Sequence, residues 1–148
     1  MENLISALHK FQEQGISVTK DGKNPYFKSQ YATLESAIET VVKHATPLNL
    51  CFTQQIDFVV VGEMQYKFVK TVVYHTVSGA SIESRTPIVM NPAKMHDPQA
   101  MGASITYAKR YGLLAIFGLP TEDDDGNSAV GDKQMKDKLN KNKKMGDI

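Results

Sequence analysis

Cysteine is nearly absent from this chain of 148 residues, in which Cys51 stands alone. A single thiol excludes an internal disulfide and any zinc site built from several cysteines, and it fits a reducing compartment such as the cytosol. Cys51 opens an expected strand with no base implied nearby, so it reads as a small core residue rather than a nucleophile. No run of 18 apolar residues occurs, and Met1-Glu2-Asn3-Leu4 has no basic stretch ahead of an apolar one. Neither a membrane span nor a leader is expected. The enzyme templates are missing too: no GxxxxGK[ST] for a P-loop ATPase, no GxGxxG after a strand, no HExxH and no GxSxG. His9, His44, His75 and His96 fall on four different segments without ligand spacing and read as ordinary surface or partly buried imidazoles.

Charge of one sign is also scarce, since 17 basic and 16 acidic residues leave a formal +1. Nucleic-acid-binding domains are often strongly basic, so the total at first argues against such a partner. The total conceals blocks. Residues 126–148 hold six Lys against three Asp, a surplus of +3, and Glu122, Asp123, Asp124 and Asp125 are consecutive. Without those two blocks, residues 1–121 carry 11 basic against 9 acidic residues, or +2. With 41% hydrophobic and 22% charged residues, the composition is that of one ordinary globular domain with a real core. Beyond Gly126 the chain is polar, lysine-rich and nearly free of aliphatic residues, so the expected division is a domain over 1–128 and a flexible lysine-rich tail over 129–148.

Periodicity predicts the elements. Leu4, Leu8 and Phe11 form the stripe of a short helix over 2–14, ended by Gly15. Residues 15–32 show no period and read as a loop. Thr33 caps a second helix whose stripe is Leu34, Ala37, Ile38, Val41, Val42, Ala45 and Leu48, closed by Pro47. The pattern then alternates, with Leu50, Phe52, Ile56, Phe58 and Val60 on the inner side of a strand over 50–61. Gly62-Glu63 and Ser78-Gly79 separate it from strands over 64–77 and 80–89. Asp97-Pro98 starts a long helix with Met101, Ile105, Ala108, Gly112, Ala115 or Ile116, and Leu119 along one side, stopped by Gly118 and Pro120. Small residues at 102–104 and 112 would permit close approach to a sheet. The fold class is α+β: a three-stranded antiparallel β-meander packed with helices in the order α-α-β-β-β-α.

Two segments interleave cations with aromatics: Lys23, Tyr26, Phe27, Lys28 and Tyr31 in the loop, and Tyr107, Lys109, Arg110 and Tyr111 in the last helix. Single-stranded nucleic acid needs that pairing, because cations neutralise phosphates while aromatic faces stack on unpaired bases. The same residues also suit core anchoring and a solvated helix face. The acidic run has three readings: an ion-pairing patch that docks on basic residues of the same or an adjacent subunit, a solvated turn, or a Mg²⁺ or Ca²⁺ site. Its position after a helix C-terminus is unfavourable with the helix dipole, which points to a partner.

Three blocks resemble a known family. Asn24-Pro25-Tyr26-Phe27-Lys28-Ser29-Gln30-Tyr31-Ala32-Thr33-Leu34, then the segment from Asp97 through Ala108-Lys109-Arg110-Tyr111-Gly112-Leu113, then Glu122-Asp123-Asp124-Asp125-Gly126-Asn127 are similar to the essential recombination function (ERF) family of phage single-strand annealing proteins. The resemblance covers roughly 1–128. It implies a fold similar to the eukaryotic annealing mediators of the Rad type, in which basic residues of a long helix line a groove for the DNA backbone. It also implies ATP-independent annealing of complementary strands by rings or filaments during phage homologous recombination, not catalysis, in the cytoplasm of the bacterial host cell. The expected phosphate contacts are Lys109 and Arg110, then Lys28, Lys67, Lys70 and Arg85. Tyr107 joins the DNA-binding set, and Tyr26, Phe27 and Tyr31 act as wedges between bases or as packing against the second helix. Those relatives carry a further arginine one turn on, where this chain has Leu113 and Leu114. Glu122 to Asp125 are assigned to an oligomer interface or ion pairing. No cofactor is called for. The partners are single-stranded DNA, further copies of the chain, and as accessories a phage exonuclease and a host or phage single-strand-binding protein. The alternatives are a metal-dependent nuclease built on residues 122–125 and a coat protein that binds single strands without annealing them.

Overall fold

In the computed structural model, residues 2–23 and 30–120 are described. Helix α1 spans Leu4–Glu13, with Asn3 accepting from the Ser6 amide as N-cap. Helix α2 spans Leu34–Ala45, capped by Thr33 and followed by a 3-10 turn over Thr46–Leu48, where Pro47 ends the helical ladder. Two very short strands, β1 (Gly22–Lys23) and β2 (Gln30–Tyr31), pair antiparallel within the segment read as a loop. Strands β3 (Leu50–Val61), β4 (Met64–His75) and β5 (Ser81–Pro87) form an antiparallel meander in the order β3-β4-β5. Helix α3, Pro98–Ile116, follows its Asp97 cap. The acidic run and the lysine-rich segment lie outside the described residues.

Alternation along β4 decides where the helices sit. Val69, Thr71, Val73 and His75 are fully buried on one face of the sheet, with α3 laid across it. At Gly112 the helix meets the sheet directly: a methyl group there would lie 2.7 Å from the Thr86 hydroxyl and 3.0 Å from that of Thr71. Gln54, from β3, completes the seat by donating to the Thr71 hydroxyl at 3.0 Å and to the Lys109 carbonyl at 2.9 Å. The core lies toward the C-terminal end of α3, where Leu113, Leu114 and Phe117 meet Leu4, Ala7 and Phe11 of α1, Val41 of α2 and Val73 of β4. Phe117 packs against Phe11 with ring centroids 4.8 Å apart and takes Phe52 edge-on at 6.3 Å.

Three sequence expectations change. Cys51 is exposed, because β3 begins with Leu50 inward and so turns Cys51 to the uncovered face. Ile56, Phe58 and Val60 share the inner side with Leu50 and Phe52, yet they are exposed, because the strand continues beyond the helices that would cover it. On α3 the buried residues are Ala108, Gly112, Leu113 and Leu114, while Ala115 is exposed and Gly102 faces open space. The stripe is wider than expected: Ile116 and Leu119 pack against the core as read, and Leu113 and Leu114 join them.

Asp21 ties the chain ahead of β1 to the start of α2. Its carboxylate accepts from the Ser36 hydroxyl at 2.7 Å and from the Thr33 hydroxyl at 2.9 Å and amide at 3.3 Å. Those donors hold its pKa below the ordinary 3.8, the Ser36 bond most of all. Two measurements check this packing. Gly112→Ala adds helix propensity worth about 1 kcal/mol but overpacks the Thr71–Thr86 contact at a cost of about 1–3 kcal/mol, so a lower urea midpoint is expected. Asp21→Ala lowers the thermal midpoint at pH 7. Because the folded-state pKa is depressed, the gap between variant and parent closes as the pH falls below 3.8; a gap that stays constant down to pH 2 contradicts the assignment.

Candidate nucleic-acid interface

The sequence-predicted residues separate into two places. On α3, Tyr107 and Tyr111 stand one turn apart, and their rings lie 4.3 Å apart at 31°. Arg110 falls between them, with its guanidinium 5.5 Å from the Tyr107 centroid and 5.3 Å from that of Tyr111. Tyr31 comes from β2: its centroid is 4.8 Å from the same guanidinium, and Arg110 also donates to the Ala32 carbonyl at 3.2 Å. The Tyr31 ring reaches this position because β1 offers Gly22, where a methyl group would lie 2.5 Å from the ring. One arginine thus joins three tyrosines and anchors the end of the loop on α3. Lys109 is half-buried beside this cluster, with its carbonyl held by Gln54. Tyr107 is 54% exposed. A groove of about 470 Å³ runs alongside, bounded by Tyr107, Tyr111, Ser104 and Thr86 among others.

The second place is the opposite face of the sheet. Lys70 and Arg85 are register partners on β4 and β5 and point away from α3. Lys70 forms an ion pair with Glu83 at 3.0 Å, and Arg85 lies 5.0 Å over the Phe68 ring. Lys67 shares the inner face with Val69 and Thr71 but sits beyond the helical layer and is exposed. Arg110, Tyr31 and Tyr107 are therefore brought together, Lys109 is their neighbour along the helix, and Lys70 and Arg85 are not part of that group. Lys28, Tyr26 and Phe27, like Glu122 to Asp125, lie outside the described residues. Tyr111 is the addition. Its signal was the i, i+4 spacing from Tyr107, which places two rings on one helix flank. Leu113 and Leu114 are buried in the core and add nothing to this flank.

Cations held against aromatic rings suit a single strand, because the rings offer faces to bases and the cations offer charge to phosphates. Among the described residues no three His, Cys, Asp or Glu side chains converge to hold a metal ion, and no helix is long and apolar enough to cross a membrane. The model of the ERF superfamily matches residues 4–147, nearly the whole chain, and the chain belongs to that family. Membership supports a role in recombination by single-strand annealing and an interaction with single-stranded DNA. No curated protein and no solved structure matches the chain.

The arginine cluster makes a stability prediction. Arg110→Ala removes the Ala32 bond and the ring contacts and is expected to cost about 1–2 kcal/mol in urea unfolding. Arg110→Lys keeps the charge but loses the planar fork, and it recovers less than half of the loss. Full recovery by lysine would mean that the rings take no part.

Proposed function

We propose that this protein binds single-stranded DNA along the flank of α3 that carries Lys109, Arg110 and the tyrosines, and anneals complementary strands without ATP in phage homologous recombination. The family match over residues 4–147 carries the reading; the clustering of Arg110 with Tyr31, Tyr107 and Tyr111 supports it. An annealer holds a strand by its phosphates, extends it, and leaves base edges open for a second strand to test. Sequence-specific hydrogen bonds to bases would defeat that purpose. A cluster that offers charge and ring faces meets the requirement.

Lys109 and Arg110 take the phosphates, and Tyr107 is the stacking face. Lys28 is a further phosphate contact in this reading, with Tyr26 and Phe27 as wedges or packing. Lys70 extends the basic path onto the opposite face of the sheet. The working form is an oligomer, in which a modest groove repeated along one strand gains affinity through avidity. The acidic residues 122–125 contact a neighbouring subunit, and an exonuclease and a single-strand-binding protein act before and beside the annealer in the host cytoplasm. No cofactor takes part.

An annealing assay with complementary oligonucleotides and no ATP is the test. Acceleration is expected; inhibition would identify a coat protein, and Mg²⁺-dependent degradation a nuclease. In oligo-dT binding, Lys109→Ala is expected to reduce the slope of log K against log salt by about 0.7, the share of one phosphate contact on a single strand. Tyr107→Ala should weaken binding by roughly 5- to 150-fold, the equivalent of about 1–3 kcal/mol of stacking, while Tyr107→Phe stays near the parent. Unchanged affinity and slope in the lysine and tyrosine variants would remove α3 from the interface.

A further inference from the structure

The distal half of the β3–β4 hairpin takes no part in the surface just described. From Ile56 to Tyr66 it projects past the helices, and seven large apolar side chains on it are exposed, from 43% at Val59 to 61% at Val61. They occupy both faces: Ile56, Phe58 and Val60 on one, Val59, Val61, Met64 and Tyr66 on the other. At roughly half exposure apiece they offer on the order of 700 Å² of apolar surface over the two faces together, close to the ~800 Å² per partner of a stable interface. The charged residues of this stretch, Asp57 and Glu63, are both acidic, so a phosphate backbone or an anionic membrane gains nothing by covering it. Its chemistry calls for a protein surface.

Both edges of the projection are open. β3 is the outer strand of the sheet, and β5 ends at Pro87, opposite Phe68. After one further bond, from the Ile88 amide to the Lys67 carbonyl at 3.0 Å, no described strand pairs with β4 over 64–66 on that side. By the alternation of an antiparallel ladder, the main-chain groups of Gln65 point outward there. They face a groove of about 710 Å³ whose wall includes Met64, Met90, Met95 and Met101 together with Lys67 and Arg85. Methionines adapt to irregular partners, and the two cations are opposite in sign to Asp57.

We propose that this hairpin is a self-association arm. The β3 edge over 56–61 of one copy adds as a strand to the β4 edge over 64–67 of the next, its apolar side chains enter the methionine groove, and Asp57, on the same face of the continued sheet, approaches Arg85. The two edges differ, so the contact is heterologous and each copy can receive one arm while giving another. The proposal rests on the annealing reading for its purpose, since it supplies the oligomer that reading requires.

Sedimentation velocity of the full chain tests it. Phe58→Asp with Val60→Asp, both at exposed positions, should leave the circular dichroism spectrum intact and convert large species to the 16.4 kDa monomer; an unaltered profile overturns the proposal. A second measurement works without disrupting the arm. In a Cys51→Ser background, a Phe58→Cys chain is mixed with a Gln65→Cys chain and treated with a short bismaleimide. Cross-linked dimer at least tenfold above either chain alone is expected; equal yield from one chain alone means two-fold pairing and overturns it. Oligo-dT binding separates the two readings. Mixed cross-linking without DNA binding by the parent leaves the arm standing and the annealing reading lost. DNA binding and annealing by a parent that sediments as a monomer leave the annealing reading standing and the arm lost.

Discussion

At Gly112 the last helix rests on the sheet with no side chain between, flanked by the Thr71 and Thr86 hydroxyls, and the Gln54 amide joins two strands to the Lys109 carbonyl. This close seat orients the helix. With Gly112 and Ala108 turned to the sheet, Leu113, Leu114 and Phe117 are directed into the core, and Tyr107, Arg110 and Tyr111 are left on the flank that meets β2. A larger residue at 112 would lift the helix and disturb both sets of contacts at once. The surface chemistry of α3 is thus set by a packing contact on its other side, over distances at which one methyl group is felt.

Arg110 shows why a cation in this position does two jobs. A guanidinium is weakly hydrated and planar, so it lies against rings without the desolvation cost an ammonium would carry. Here it fastens the chain at Tyr31 and Ala32 to α3. The stacked tyrosines add apolar area with few rotatable bonds. Positive charge and aromatic faces therefore come from a cluster that also contributes to folding.

Much of this was legible in the sequence because short-range rules governed it. Thr33 and Asp97 cap their helices as their side chains dictate, and Gly62 takes the positive φ that a two-residue hairpin turn demands. The family resemblance rested on motifs whose residues the fold then gathers, Tyr31 with Tyr107 and Arg110. What could not be read was the extent of the helical layer. Period two marks which side of a strand faces inward, but not where its cover stops, so Ile56, Phe58 and Val60 looked like core and are exposed. Cys51 was misplaced for a different reason, since the alternation that turns Leu50 inward turns it outward. The division of the cations between two faces also escaped a linear reading, because Lys70 and Arg85 reach the face opposite α3 only through the register of β4 with β5.

The β3–β4 hairpin has unlike sides: a long outer edge on β3, and on β4 a short one cut off where β5 ends. An object with unlike sides has a head and a tail. Copies joined through them all point the same way, and so do their α3 flanks. A DNA strand also has a direction, 5′ to 3′. A row of subunits facing one way offers it a track with a fixed sense of travel, whereas a two-fold dimer would present two tracks running in opposition.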